Sequence, residues 1–586
     1  MATSTSVDSR ETVTSAAPQP VDSVVAQERH SESFQGEKKP LQFWLVFLAV
    51  CLTVFLSALD VTSVGTALPT IIAALRGTDY IWVGTAYALS STAFLPASGS
   101  LSDIFGRRPI MLGAVVMFAA GSAVCGAANT MNMLIVGRSI QGVGGGGILA
   151  LTEIIVADIV SLRERGKYIG IIGAVWAIAS VLGPLIGGAL ASSGNWRWLF
   201  YLNLPLSAIS FTLVFFFLRL KTPQGNLRSK LRRMDWTGNF IIAGSTTAIL
   251  IALAWGGVVY SWSSWHVLVP LLVGFVGMGI FGIFEWLLAG ETAIVPIRLM
   301  NNWTSVSGYF TTMVHGAIVT LVTYYLPSYF QGVKGANAII SGLELFGTAL
   351  TIAPCAIVTG IWTEKTGKYV IQNVLAWVFI IVGEGVYTTV DARSSIVKAI
   401  ALQVVPAVGF GMLYAATTFA TLAPLRVEDN ARALGFFTFA RQFGQTIGVT
   451  IGTTILQNSL KTKLPASFLS QFSSGVEISY SIIPSIKFLP EPLRSQVKDA
   501  YAKSTKNIWV ANIILGGIGL LLALLMRDVA LRVETDENWD LSSAQRVAVG
   551  DEGEGEKKKS GGGEDVEAGI GEKTARSATA PTPATS

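Results

Sequence analysis

Long apolar stretches, each about 20 residues and separated by short polar links, recur from residue 42 to residue 526. Coiled as a helix, a stretch of that length matches the roughly 30 Å hydrocarbon core of a bilayer. Lipid offers no partner for backbone N–H and C=O groups, so a chain that crosses it repeatedly must close its hydrogen bonds within each segment. The expected fold class is therefore all-α, a polytopic membrane protein with about 14 transmembrane helices. The spans fall near 42–68, 80–98, 109–128, 132–156, 168–192, 198–218, 237–259, 266–288, 305–330, 338–362, 370–389, 396–420, 432–456 and 507–526. Composition agrees: 51% of the 586 residues are hydrophobic and 13% charged, against roughly 25% charged in a soluble domain.

One helical unit is present twice. Gly99, Asp103, Gly106 and Arg107 are spaced four, three and one residues apart, and Gly360, Glu364, Gly367 and Lys368 repeat that spacing. Each set occupies a short polar link between two apolar spans. Ala67-Leu68-Pro69 ends a span 30 residues before Gly99, and Tyr325-Leu326-Pro327 does so 33 residues before Gly360. Such duplication in a polytopic chain marks a membrane transporter, because two related halves can rock about a site between them.

Lysine and arginine set the orientation. With the N-terminus inside, the inner links hold Arg107 and Arg108, then Arg163, Arg165 and Lys167, the stretch Arg219–Arg233, Lys365 and Lys368, and Arg426 and Arg432. The short outer links hold only Arg76, Arg197, Lys334, Arg393 and Lys398, although the longer outer segment Gln457–Lys506 is moderately basic. The net charge of +5 is thus an orientation signal, and no nucleic-acid surface is expected. About 40 polar residues ahead of the first span, and Asp60 within it, argue against a cleaved leader. Cys51, Cys125 and Cys355 all lie in spans, which leaves no disulfide framework. The Asn302-Trp303-Thr304 sequon falls on the inner side, where it stays unmodified.

Ionisable residues inside the spans point to function, since a carboxylate at a helix centre costs about 2.5–3.5 kcal/mol to insert. Asp60 lies about 13 Å of helix rise before the outer end of the first span, and Arg138 about 9 Å after the outer start of the fourth, so the two share a depth. The pair reads either as a proton-coupling site or as a static ion pair fixing the first span to the fourth; a pair that breaks during transport would be both. Glu344 and Arg441 are further proton-coupling candidates, expected to face the same cavity. Glu285 and Glu384 lie nearer span ends, where a side chain can snorkel, with a role as coupling residues the lesser alternative for each, while Glu153 and Asp158 are expected to pair locally with Arg163 and Arg165. Gly142, Gly144 and Gly147 satisfy a G-x-G-x-x-G pattern, but no strand precedes them, so helix packing is the reading in place of a dinucleotide site. Gly183-Pro184 and Gly187-Gly188 predict a helix that bends or slides against its neighbour, or a simple packing kink. Gly444, Gly448 and Gly452 predict close contacts within or between the halves. No G-x-x-x-x-G-K-[ST] loop occurs, and His30, His266 and His315 form no metal or nucleophile constellation, so neither an enzyme nor a cofactor is expected.

Five stretches together resemble the major facilitator superfamily. GSLSDIFGRRP (Gly99–Pro109) is similar to the loop signature between its second and third helices, and LIVGRSIQGVGGGG (Leu134–Gly147) to its fourth-helix motif with a membrane arginine. SVLGPLIGG (Ser180–Gly188) resembles the fifth-helix motif of drug:proton antiporters, with Ala179 where a glycine is usual. LDVTSVGTALP (Leu59–Pro69), with Gly65 where asparagine is common, and NWRWLFYLNLP (Asn195–Pro205) resemble the fourteen-helix branch. YYLPSYFQ (Tyr324–Gln331) adds a likeness to fungal toxin and multidrug efflux pumps. The resemblance implies two six-helix bundles, 42–220 and 301–530, with two extra transmembrane helices in a linker at 221–300 and an extracellular loop at 457–506. Cytoplasmic tails, 1–41 and 531–586, flank them and read as disordered from their composition. It also implies a cytoplasmic gate built on Asp103, Arg107 and Arg108 with Gly99, Gly106, Glu364 and Lys368 of the doubled motif. Arg138 would take part in proton transfer, and Gly183, Pro184, Gly187 and Gly188 would shape an interface that favours export.

The expected function is proton-coupled secondary active efflux of amphipathic organic compounds by alternating access. The expected setting is a multi-pass monomer in the plasma membrane, or alternatively the vacuolar membrane, whose partners are small organic substrates, protons and lipid. The proton gradient takes the place of a cofactor, supplying about 2.3 kcal/mol per charge for each 100 mV and about 1.4 kcal/mol per pH unit. Tyr324, Tyr325 and Phe330 are candidates for lining the substrate cavity, with core packing or lipid contact as the alternative for each. A proton-coupled importer, such as an iron-siderophore transporter, and a transporter-like membrane receptor are the alternative functions. The direction of flux separates the first, and absence of flux the second.

Overall fold

The structure is a computed structural model that describes residues 39–75, 81–220, 225–257, 259–470, 478 and 482–532. The tails 1–38 and 533–586, with His30, and Arg76 of the first outer link lie outside the described residues. In chain order the long helices are α1 (Leu41–Leu75), α2 (Ile81–Phe105), α3 (Arg107–Gly126), α4 (Met131–Ile159), α5 (Arg165–Ser192), α6 (Trp198–Phe217) and α7 (Trp236–Trp255). They continue with α8 (Trp265–Leu287), α9 (Trp303–Tyr329), α10 (Phe346–Thr366), α11 (Val370–Tyr387), α12 (Val404–Leu422), α13 (Asn430–Lys463) and α14 (Leu493–Ala523). Among the described residues twelve helices are long and apolar enough to cross a membrane, against the expectation of about 14. The two outside that set are α2 and α13, which pack on each other across a seam and so need less lipid-compatible surface. Helices α13 and α14 both run into the segment expected as an extracellular loop at 457–506, ending at Lys463 and starting at Leu493.

Local chemistry explains the helix ends. Gly106, at φ 97°, breaks α2 from α3 in one residue, a conformation that L side chains resist. Its repeat partner Gly367 ends α10 in the left-handed region at φ 68°. Thr130 caps α4 by accepting the Met133 N–H at 3.2 Å, and Asn302 caps α9 by accepting the Thr304 N–H at 2.7 Å. The sequon asparagine is therefore a helix cap.

The helix contacts repeat as the sequence does. In the first bundle α1 packs on α5 and α6, α4 on α2 and α3, and α3 on α6; in the second α9 packs on α13 and α14, α12 on α10 and α11, and α11 on α14. Small residues set the distances, as expected where lipid removes the hydrophobic drive and close van der Waals contact remains. Gly183 and Gly187 of α5 admit Thr62, Ser63 and Thr66 of α1, and Gly444, Gly448 and Gly452 of α13 admit Met313, Ala317 and Tyr325 of α9. The glycine run in α4 serves two neighbours at once: Gly142, Gly145 and Gly146 face α2, while Gly144 and Gly147 face α3.

Helices α7 and α8 pair with each other, and α7 leans on α2 with Trp255 edge-on to Trp82 at 6.3 Å. The rest of α8 is apolar and exposed, including Leu272, Val276, Ile280 and Ile283, as a lipid-facing surface requires. At its foot Glu285 does not snorkel as expected. It is buried and accepts the backbone N–H groups of Ile294 and Val295 at 3.2 and 3.1 Å, which fixes the turn into the second bundle.

Candidate functional site

Asp60 and Arg138 meet. Arg138 Nη1 donates to Asp60 Oδ2 at 2.5 Å, and both residues are 2% exposed. The equal depth estimated from helix rise is thus matched by facing azimuths. The spans themselves do not reveal the polar shell around the pair. Gln141 and Asn203 each donate an amide N–H to Asp60 Oδ1 at 2.8 Å, and both amides also reach the Ser122 hydroxyl. Gln141 Oε1 accepts from Arg138 at 2.7 Å, Arg138 Nε donates to the Val83 carbonyl at 3.0 Å, and the guanidinium lies 4.4 Å from the Tyr87 ring centroid. Gln141 follows Arg138 by three residues, on one helix face, which was the available sequence signal. Five helices, α1, α2, α3, α4 and α6, converge here, and each supplies part of the shell. Such a buried pair persists only when its remaining lone pairs and protons are satisfied, and here they are.

The second constellation closes one end of the seam between the bundles. Gly99 of α2 lies against the backbone of Ala431 and Arg432 at the start of α13, and Gly360 of α10 against that of Gly166 and Lys167 at the start of α5. The doubled glycines thus mark two equivalent crossings. Arg107 bridges Asp103 at 2.7 Å and Asp158 at 2.8 Å, and Asp103 also meets Arg432 of the other bundle at 3.5 Å. At the second crossing Arg163 donates to the Glu364 carbonyl at 2.6 Å and Lys167 faces the Glu364 carboxylate at 3.8 Å. Deeper in the seam Arg441 of α13 pairs with Glu153 of α4 at 3.3 Å. Arg441 also lies over the rings of Tyr414 and Phe437, at 4.8 and 4.6 Å. The Asp103–Arg432 and Lys167–Glu364 pairs are partly exposed and contribute about 0–1 kcal/mol each, so at these two crossings the closure rests on backbone contact with modest electrostatic support.

Several expected assignments change. Arg108 leaves the gate: its Nη2 donates to the Phe215 carbonyl at 2.5 Å and its guanidinium stacks on the Phe215 ring, tying α3 to α6 within one bundle. Lys368, although it repeats Arg107, is exposed and makes no ion pair among the described residues. Glu153 and Asp158 reach farther than a local pairing: Glu153 meets Arg441 and Asp158 meets Arg107, while both carboxylates also act electrostatically on Arg165. Arg165 Nη2 donates its hydrogen bonds to the carbonyls of Ala157 and Val160. Glu344 and Arg441 do not share a cavity, because Arg441 belongs to the gated half of the seam while Glu344 closes the short helix Ala338–Leu343 at the opposite end. Glu384 does not snorkel and is 1% exposed.

Of the three cavity candidates one remains. Tyr325 is buried, its hydroxyl donating to the Val449 carbonyl at 2.9 Å and pairing with Thr453 at 2.7 Å, and Phe330 packs in the same core against Tyr329. Tyr324 is 49% exposed, and Arg138 of the other bundle acts on it electrostatically. The fifth-helix motif is likewise split. Gly183 and Gly187 face α1, whereas Pro184 and Gly188 face Gly342 and Ile339 of the second bundle.

Known proteins share this construction. A family model described as Major Facilitator Superfamily matches residues 50–449. The "MFS-type efflux pump LUC4" of Fusarium sp is 38% identical over 90% of this chain and 95% of its own length. The "Efflux pump FUS6" of Gibberella moniliformis is 38% identical over 91% and 96%, and the "MFS transporter L2" of Phoma sp. 38% over 93% and 92%. Among solved structures, the proton:xylose symporter XylE bound to 6-bromo-6-deoxy-D-glucose matches with a TM-score of 0.52 at 12% identity, over 83% of this chain and 97% of that one. The human organic anion transporter MFSD10 matches with a TM-score of 0.50 at 15% identity, over 82% and 100%. These two likenesses concern the fold alone. With a family model across most of its length and full-length relatives at this identity, the chain belongs to the Major Facilitator Superfamily and is a multi-pass membrane transporter rather than an enzyme.

Proposed function

We propose that this transporter exports amphipathic organic molecules across the plasma membrane by proton-driven alternating access. The seam closed by Gly99, Gly360 and the Asp103–Arg432 and Lys167–Glu364 pairs is then the cytoplasmic gate, in keeping with the basic residues that flank it. Protonating Asp60 removes the charge that balances Arg138, leaving a buried guanidinium that must find new partners. Tyr324 of the other bundle is near, so that local change is communicated across the substrate space. Deprotonation restores the shell as substrate binds from inside. Two of the relatives bear the name efflux pump, which supports the outward direction.

The observation that carries this reading is an ion pair sealed inside a bundle, with Arg138 acting electrostatically on Tyr324 of the other bundle. The test uses the full chain in proteoliposomes with a lipophilic fluorescent dye as probe. Asp60→Asn is expected to abolish flux driven by a pH gradient while gradient-free dye exchange and membrane insertion persist. Undiminished gradient-driven flux in Asp60→Asn refutes the proton role. In intact cells, dye depletion is expected, and dye accumulation would refute export.

A further inference from the structure

The bundles repeat the place where each buries its polar groups. Tyr87 on α2, Ser122 on α3 and Gln141 on α4 surround Asp60; the residues 261 or 262 positions later are Thr348 on α10, Glu384 on α11 and Gln403 on α12. The same offsets relate Gly99 to Gly360, and the close approach of Gly147 to Ala114 to that of Gly409 to Ala376. The last helix of each bundle adds an asparagine, Asn203 in α6 and Asn512 in α14. These counterparts converge again. Thr348 donates its N–H and its hydroxyl to Gln403 Oε1 at 3.2 and 3.1 Å, and Gln403 Nε2 donates to the Glu344 carbonyl at 2.8 Å. Thr348, Glu384, Tyr387 and Gln403 border a cavity of about 10 Å³, walled by Val322 and Trp509. That is about the space of one water molecule.

The two sites differ in charge. Ile400 stands 262 positions after Arg138, so the second site has no guanidinium, and its carboxyl comes from α11 in place of the first helix. Around Glu384, α11 presents Tyr387, α12 Gln403 and Pro406, α14 Trp509 and Asn512, and α10 Thr348; Glu344 and Tyr329 lie beyond Tyr387. None of these is cationic. Lys334, farther out, is engaged with the carbonyls of Asp391, Ala392 and Ser394. Asn512, whose amide bears on the Glu384 carboxyl, is fully buried, and neither of its amide atoms meets a hydrogen-bond partner of good geometry among the described residues. A buried carboxyl with no counter-charge is stable as the neutral acid, which gives its O–H to an amide oxygen and accepts the amide N–H in return.

We propose that Glu384 is a proton-binding site of the second bundle, holding a neutral carboxylic acid in the gate-closed conformation and paired with Asn512. The two corresponding sites then hold their acids in opposite protonation states: Asp60 ionised against Arg138, Glu384 protonated. Proton occupancy of Glu384 rests on the second bundle alone, while its use in transport rests on the proton-driven reading above.

The test is infrared spectroscopy of the full chain in lipid nanodiscs at neutral pH, reading the C=O stretch of protonated carboxyls. The wild type minus Glu384→Gln difference is expected to contain that band, and Glu384→Gln, isosteric with the acid, is expected to stay folded. Asp60→Asn is expected to keep the band, so a failure of proton-driven transport leaves it in place. Superimposable wild-type and Glu384→Gln spectra in the carboxylic acid region, with a carboxylate band lost in their place, would overturn the proposal. A Glu384→Asp spectrum, if Glu384→Gln fails to fold, must show the band shifted; an unshifted spectrum overturns it equally.

Discussion

Adding one methyl group at Gly99 should push apart the crossing of α2 and α13, which the proposed function reads as the cytoplasmic gate. A Cβ built there lies 2.6 Å from the Ala431 carbonyl oxygen and 3.0 Å from Arg432 Cα, both backbone atoms at the start of α13. An ordinary contact is about 3.5 Å, so one helix must retreat by about 1 Å. Neither obstacle is the end of a flexible side chain that could swing away. Overpacking of this kind costs about 1–3 kcal/mol, and the cost falls only on the closed conformation because the two helices part in the open one. A bias of that size shifts the closed-to-open ratio by about 5- to 150-fold. The Asp103–Arg432 contact sits at the same crossing and is lost with it. The assay is a pulsed spin-label distance between Ser161 and Lys365, with Cys51, Cys125 and Cys355 replaced by alanine. Gly99→Ala is expected to move population to a longer distance. Gly65→Ala, with nothing within 4 Å of its Cβ, is expected to leave the distribution unchanged. A folded Gly99→Ala protein with the wild-type distribution would show that this crossing does not hold the gate.

Arg107→Ala leaves Asp158 buried without its guanidinium, and breaking a buried pair from one side costs about 3–5 kcal/mol. A large fall in Tm is expected, with a slower transport cycle and retained substrate binding. Arg108→Ala, which loses only an exposed contact to Phe215, is expected to lower Tm far less, and equal falls would contradict the division of labour between the two arginines. Tyr324→Ala is expected to change which dyes compete for transport with little effect on Tm, whereas Phe330→Ala, emptying a core site, should cost about 3–5 kcal/mol. The reverse pattern would place Tyr324 in the core and Phe330 at the substrate.

The gate and the Asp60 site are built on different energetic terms, and the difference suits their tasks. Under the proposed function, the contacts at the two glycine crossings, backbone approaches and the partly exposed pairs Asp103–Arg432 and Lys167–Glu364, are each worth little and so are suited to part and re-form in every cycle. The Asp60 shell is fully buried and fully satisfied, so the proton change proposed there would be felt by every partner.

Helix type and membrane residence were legible in the chain because both depend on local quantities: the length of an apolar run and the lack of any backbone partner in lipid. Depth was legible too, since helices in a bilayer share one axis and rise 1.5 Å per residue, and this is how Asp60 finds Arg138 in the sequence. The spacing of Gly99, Asp103, Gly106 and Arg107 announced its own repeat. Rotation about each helix axis was not legible. Tyr324 and Tyr325 are neighbours with the same chemistry, yet one is half-exposed and the other buried in the core, because a step of one residue turns a helix by about 100°. Glu153 finding Arg441 across the seam, Arg108 leaving the gate, and Gln141, Ser122 and Asn203 closing around Asp60 all depend on which helix lies beside which. Only packing in three dimensions decides that, because adjacency is set by the small residues on both partners of each contact and not by any one span.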